Sequence, residues 1–211
     1  MTVIATERRT IPALAGSSPA MRDLVQNVDA LAARGETVGL LMGEAGVGKG
    51  RIAELIHERS ARSRRKFAAL SCMDPDTSET LLALDGTAPR RRAGGGTLFL
   101  SEISHLAQPA QQTLIGWLDD PEFRDNGPRL LASASSDLVR LITEGEFAED
   151  LYYRLSVMPV HVPPLRARAP EDLVELIDSL VHELSADMPG RPAASIRRSW
   201  SGWRGSHGPG T

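Results

Sequence analysis

The sequence predicts an α/β fold built around a parallel sheet, and three observations carry that prediction. From Thr37 to His57 a short apolar run, a glycine-rich turn and a helical segment follow one another without interruption. Downstream, a second short apolar run, Thr97-Leu-Phe-Leu100, ends in Ser101-Glu102, where a carboxylate would emerge at the edge of a sheet. Between and beyond these two stretches, short apolar runs alternate with segments whose apolar residues recur at helical spacing.

Residues 1–17 show no sustained periodicity and are expected to be a loosely held lead-in. Ser18 offers an N-cap and Pro19 a first-turn residue, and Met21, Leu24, Val25, Val28 and Leu31 then mark an amphipathic helix. Thr37 to Met42 is the first strand. A helix from about Lys49 to Ser60 turns Ile52, Leu55 and Ile56 inward and closes on basic residues, as the helix dipole favours. Phe67 to Ser71 is the second strand and Leu81 to Leu84 a short helical turn, while Gly, Pro and Arg between Asp85 and Gly96 predict a loop. After the third strand at Thr97 to Leu100, a helix is expected over Pro109 to Leu118, a turn over Pro121 to Pro128 and a fourth strand over Arg129 to Ser133. Short helices follow at Leu138 to Thr143 and Glu149 to Leu155, then a fifth strand at Val157 to Val162. Pro163-Pro164 stops it. Pro170-Glu171-Asp172 opens an acidic-ended helix with Leu173, Val174, Leu176, Ile177, Leu180 and Val181 along one side. From Met188 onward, Pro, Gly and Arg predict a disordered tail.

Composition narrows the function classes. A chain of 211 residues suits one α/β domain with a small appendage, and a net charge of -3 gives no general attraction for nucleic acid. Local basic stretches at Arg59 to Lys66, Arg90 to Arg92 and the tail, where Trp200 and Trp203 also stand, are expected to be solvated surface rather than a nucleic-acid face. The single cysteine, Cys72, excludes an internal disulfide and is expected to be a small buried hydrophobe. His57, His105, His161, His182 and His207 lack paired metal-ligand spacing, so no protein metal site is predicted. No apolar run approaches a membrane span and the N-terminus lacks the order of a signal peptide, which predicts a soluble, cytoplasmic protein without a membrane partner.

The chemistry is concentrated in Gly43-Glu44-Ala45-Gly46-Val47-Gly48-Lys49-Gly50. Gly43, Gly46 and Gly48 allow the backbone to turn so that successive N–H groups converge on an anion, and Lys49 adds a mobile positive charge beside the terminal phosphates. The spacing G-x-x-x-x-G-K is complete, but Gly50 stands where a Ser or Thr hydroxyl would reach Mg²⁺. A glycine-rich turn with a surface lysine is the bland alternative. The strand before and the helix after argue against it.

These features imply a P-loop NTPase, and further stretches narrow the resemblance. Gly43-Glu-Ala-Gly-Val-Gly-Lys49 with Ile56-His57-Glu58, Gly95-Gly-Thr-Leu-Phe-Leu-Ser-Glu-Ile103, and Phe147-Ala-Glu-Asp-Leu-Tyr-Tyr-Arg-Leu155 running on to Val162-Pro-Pro-Leu-Arg166 resemble the AAA+ domain of bacterial sigma-54-dependent transcription activators. The likeness covers roughly Gly16 to Leu184. It implies a three-layer P-loop NTPase (AAA+) fold over residues 18–165, and a partial helical lid with its tail over 166–211. It also implies ATP or ADP on Gly43 to Gly50, a homo- or hetero-oligomeric ring, and RNA polymerase sigma-54 holoenzyme as partner. In that family the residue at Glu102 polarises the attacking water, and arginines at the positions of Ala148 and Arg154 reach into the neighbouring subunit's site.

The chain departs from the family at several working positions. Ser101 replaces an Asp that helps hold Mg²⁺, Ser71 an Asn, Ala134-Ser135 a Thr-Asn sensor, and Ala148 the first arginine. Only Asp85-Gly-Thr-Ala-Pro-Arg-Arg-Arg-Ala93 remains where the family carries the Gly-Ala-Phe-Thr-Gly-Ala loop that touches sigma-54, and Phe123 to Pro128 is also shortened. The family's Trp-Pro-Gly-Asn-Val-Arg lid element has no clear counterpart, Trp200-Ser-Gly-Trp-Arg204 being at best a ruined echo of it. Neither a receiver domain before the core nor a DNA-binding domain after it is expected. The departures predict an ATP-binding regulator of transcription with weak or no hydrolysis, weak or absent Mg²⁺, and no direct sigma-54 contact. Glu102 and Arg154 are its surviving catalytic candidates. A non-catalytic subunit that modulates a related AAA+ ring, and a decayed gene product, are the alternative readings.

Overall fold

Short apolar strands without internal alternation belong in a sheet covered on both faces, and the structure buries Thr97–Leu100 and Arg129–Ala134 in this way while Phe67–Ser71 stays only partly buried. In a computed structural model of the chain, residues 14–35, 38–82, 93–135 and 137–186 are described. They fall into two compact units, Arg22–Ala167 and Met1–Met21 with Arg168–Thr211. The larger unit holds five parallel strands: β1 Gly39–Met42, β2 Phe67–Ser71, β3 Thr97–Ser101, β4 Arg129–Ala134 and β5 Pro159–His161, in the order β2-β3-β4-β1-β5. Gly39 lies opposite Leu131 and Met42 opposite Ala134, while Leu40 faces Pro159 on the other side. Every residue of β4 is buried, as are Thr97–Leu100 of β3; the edge strand β5 alternates exposed, buried, exposed.

The helices are α1 Pro19–Ala33, α2 Lys49–Glu58, α3 Pro75–Leu82, α4 Gln108–Asp119, α5 Pro121–Asn126, α6 Leu138–Thr143, α7 Glu149–Leu155 and α8 Pro170–Ala186. The expected cap of α1 forms, with the Ser18 hydroxyl accepting from the Met21 N–H at 3.3 Å. Ile52 and Ile56 of α2 are buried, while Leu55 is only partly so. His57 is buried too, its Nδ1 2.8 Å from Thr97 Oγ1, and burial holds its pKa below the ordinary histidine value. Cys72 is buried as predicted, which pushes its thiol up to about 12.

Two helix assignments need correction, for one physical reason. The helical turn assigned to Leu81–Leu84 starts six residues earlier, at Pro75, and the turn assigned to Pro121–Pro128 is largely a helix, α5. Both begin Asp-Pro. Asp74 Oδ1 accepts from the Asp76 N–H at 3.1 Å and Asp120 Oδ1 from the Glu122 N–H at 3.0 Å, so each aspartate caps a helix whose first residue needs no N–H. In α5 the buried Phe123 ring stacks on Trp117 at 5.8 Å, which anchors a segment too short to be helical alone. The fifth strand is shorter than expected, beginning at Pro159.

The basic stretch Arg59 to Lys66 is only partly the solvated surface expected. Arg62 donates to the backbone carbonyls of Gly95, Gly96 and Gly127, Arg65 to that of Gly95, and Arg59 pairs with Asp29. Arg62 and Arg65 tie the entries of β3 and β4 to the segment after α2, and Arg59 ties the end of α2 to α1. Arg90 to Arg92, Leu84, the lead-in before Leu14, and the tail with Trp200 and Trp203 lie outside the described residues.

In the second unit, Asp172 in the first turn of α8 accepts from the Ser17 and Ser18 N–H groups at 2.8 and 3.0 Å. Its carboxyl is held below the ordinary value, first by the Ser18 hydroxyl. Gly16 is required there, because a Cβ would lie 2.7 Å from Asp172 Oδ1.

Candidate functional site

Parallel strands deliver their C-terminal ends to one edge of the sheet, so the segments after β1, β3, β4 and β5 meet there. Two backbone bonds extend the sheet past its last residues: the Gly43 N–H donates to Ala134 O at 3.2 Å, and the Val162 N–H to Met42 O at 2.7 Å. Gly43 is enclosed by this arrangement, since a Cβ would sit 2.7 Å from Val162 O. Gly46 and Gly48 have open space around them, but their φ values of +83° and +97° lie where side chains are disfavoured. Gly48 is the N-cap of α2 and contributes no side chain, so the first-turn N–H groups of that helix face the loop. Val47 is buried beneath the loop; Glu44, Ala45, Gly46 and Gly50 are exposed.

Lys49 is 5% exposed and its ammonium is fully engaged. Nζ donates to Gly43 O at 2.9 Å, Glu44 O at 3.0 Å and Ser135 Oγ at 3.1 Å, and it lies 3.1 Å from Glu102 Oε1. The other carboxylate oxygen of Glu102 accepts the Ser135 N–H at 3.0 Å and the Ser135 hydroxyl. Burial raises the pKa of Glu102, but the Ser135 and Lys49 hydrogen bonds and the Lys49 charge outweigh it and hold the carboxyl below its ordinary value. Glu102 has φ +56°, alone among the described non-glycine residues in being positive, and its N–H donates to Ser133 Oγ at 3.3 Å. At the rim, Arg166 grips both carboxylate oxygens of Glu44 with two guanidinium nitrogens and lowers its pKa.

The donor set does not fit Mg²⁺, which needs carboxylate or hydroxyl oxygens free to point at it. Gly50 has none, although its Cβ position is 3.9 Å from the Phe99 ring and leaves room for one. The Ser101 hydroxyl is neutral and points to Leu70 O at 3.4 Å, and Glu102 is committed to Lys49 and Ser135. Among the described residues, no group of three or more His, Cys, Asp or Glu could hold a metal.

Sequence-predicted residues thus converge except one. Gly43 to Gly50 and Glu102 form a single cluster, whereas Arg154 on α7 pairs with Asp119 of α4 and lies 3.8 Å from Asp150. Two members went unrecognised as site residues in the sequence. Ser135, noted only as a changed sensor, bridges Lys49 and Glu102. Arg166 closes on the loop because β5 lies beside β1, a neighbour relation that no local pattern reveals.

A parallel sheet of this order, with a glycine loop feeding a helix from its first strand, defines a P-loop NTPase of the AAA+ type. The family model for the Sigma-54 interaction domain matches residues 14–161, and the chain belongs to that family. It is 38% identical over 184 residues to the transcriptional regulatory protein XylR of Pseudomonas putida, covering 77% of this chain and 32% of XylR. It is 36% identical over 200 residues to the Nif-specific regulatory protein of Azotobacter vinelandii, covering 84% of this chain and 37% of that protein. The chain therefore spans about a third of the length of these relatives. Among solved structures, NtrX from Brucella abortus in complex with ATP superposes with a TM-score of 0.69 at 31% identity, covering 81% of this chain and 42% of NtrX. RuvB of Thermotoga maritima, at 20% identity and TM-score 0.58 over 81% of this chain and 52% of RuvB, shares the fold.

Proposed function

We propose that the chain is the nucleotide-binding module of a transcription regulator, binding ATP or ADP on Gly43 to Gly50 with weak or no hydrolysis. The observation that carries this is the loop itself: left-handed glycines, uncapped first-turn amides and a buried lysine converge at the C-terminal edge of a parallel sheet. NtrX, solved with ATP and with ADP, supports the same ligand class here. In the bound form Lys49 exchanges its acceptors for phosphate oxygens while the loop amides hold the remaining ones.

Hydrolysis demands more than binding. A carboxylate must be free to polarise water, and positive charge must meet the developing negative charge. Glu102 is tied to Lys49 and Ser135, Ser101 offers no charge, and Ala148 supplies none from α7. Each missing preorganised group typically costs on the order of a hundred- to a thousandfold in rate. Arg154 remains the candidate to serve a neighbouring subunit, since its surface pairing with Asp119 is readily exchanged. Regulation without a direct sigma-54 contact fits the short Asp85–Ala93 stretch. The XylR alignment is also longer than the share of this chain it takes in, so XylR carries residues with no counterpart here. Among the described residues, no helix is long and apolar enough to cross a membrane.

Thermal unfolding of the purified chain tests the reading. ADP or ATP at a hundred times its Kd stabilises the fold by about 2.7 kcal/mol, which for this size raises Tm by several degrees, and Lys49→Ala removes the shift. A flat titration of the wild type, or an undiminished shift in the variant, overturns it.

A further inference from the structure

Resting on the proposed nucleotide site, we infer that its ligand is a metal-free nucleoside diphosphate, preferred over the triphosphate and indifferent to Mg²⁺. The usual reason for a divalent cation at such a loop is twofold: a hydroxyl on the first helical turn and a strand-end carboxylate hold it, and it then neutralises the terminal phosphates. Both holders are gone. Gly50 bears no side chain, the Ser101 hydroxyl is directed at Leu70 O, and the nearby carboxylates already have cationic or hydrogen-bonding partners, Glu44 with Arg166 and Glu102 with Lys49 and Ser135.

The same arrangement separates two phosphates from three. What remains to hold an anion is electrically modest: loop amides, the uncapped amides of α2 and one ammonium. That set suits a diphosphate lying along the loop. A third phosphate drawn to Lys49 comes beside Glu102, because Lys49 Nζ and Glu102 Oε1 are only 3.1 Å apart. Glu102 cannot swing away freely. Its backbone is held at φ +56° with its N–H on Ser133 Oγ, and its second oxygen is clasped by the Ser135 N–H and hydroxyl. Its lowered pKa keeps it charged at neutral pH, so with no cation between them carboxylate and terminal phosphate repel.

Calorimetric titration of the full chain with ADP and with ATP, each in EDTA and in excess Mg²⁺, tests this. The expected result is an ADP Kd that agrees within threefold between EDTA and Mg²⁺, and an ATP Kd in EDTA at least tenfold weaker than that of ADP. Glu102→Gln should narrow the ratio of the two. The double variant Gly50→Ser, Ser101→Asp should acquire Mg²⁺ dependence, binding ATP at least tenfold more tightly with the ion than without it. Tightening of wild-type ADP binding tenfold or more by Mg²⁺, or ATP binding as tightly as ADP in EDTA, overturns the inference while leaving the nucleotide site intact. Absence of binding by either nucleotide under all conditions overturns both. A folded double variant as indifferent to Mg²⁺ as the wild type also counts against it, since it breaks the link to the two missing ligands.

Discussion

The two sides of the proposed phosphate site differ in what they are made of. The loop from Gly43 to Lys49 works through its backbone, and its geometry needs only glycine at the points where φ is positive or space is closed. The facing wall, at the ends of β3 and β4, works through side chains, and there Ser101, Glu102 and Ser135 have formed a closed set of contacts with Lys49. A backbone cradle survives change in its neighbours. A side-chain wall with a single carboxylate leaves that carboxylate to pair with Lys49, so under the proposed function the difference separates the capacity to bind from the capacity to react.

Removing the wall's remaining charge is the strongest way to break this contrast. Glu102→Ala leaves the buried Lys49 ammonium without its counter-charge, and stability should fall by roughly 2–3 kcal/mol in chemical denaturation at pH 7. The pH dependence has a fixed sign. Because the folded carboxyl titrates below the unfolded one, its contribution is fully present above the ordinary carboxylate range and disappears as pH falls through the lowered folded value. Wild type should therefore lose stability on acidification more steeply than Glu102→Ala, and parallel curves would show that the pair contributes nothing.

On the loop side, Gly48→Ala tests the backbone's share. No atom lies within 4 Å of its added Cβ, so the cost is conformational alone, about 1–2 kcal/mol for a left-handed residue. Unfolding by denaturant measures it. A neutral substitution would mean that the loop does not hold its described conformation.

Arg154→Ala should have the smallest effect. Its Asp119 and Asp150 partners are exposed, and such pairs contribute roughly 0.2–1 kcal/mol, less in high salt. A loss well beyond that in the isolated chain would make Arg154 a structural residue. A small loss, together with altered ATPase of an intact homologue on mixing, supports its proposed role toward a neighbouring subunit.

Much was determined by the sequence alone. Short apolar runs marked β1 and β3 as buried strands, and glycine spacing marked the candidate phosphate loop, because both are local consequences of backbone geometry. Cys72 was legible as buried from its position after such a run. The helices at Pro75 and Pro121 were legible in principle, since Asp-Pro supplies both a cap and a first-turn residue, yet the same pair also begins turns. In α5 it is the packing of Phe123 on Trp117 that favours the helix. What Lys49 touches was not legible in the sequence. Glu102, Ser135 and Arg166 lie far from it in sequence and reach the loop because the order β2-β3-β4-β1-β5 sets β4 and β5 on either side of β1, with β3 next beyond β4. Long-range charge pairing depends on which strand ends are neighbours, and no local pattern carries that information.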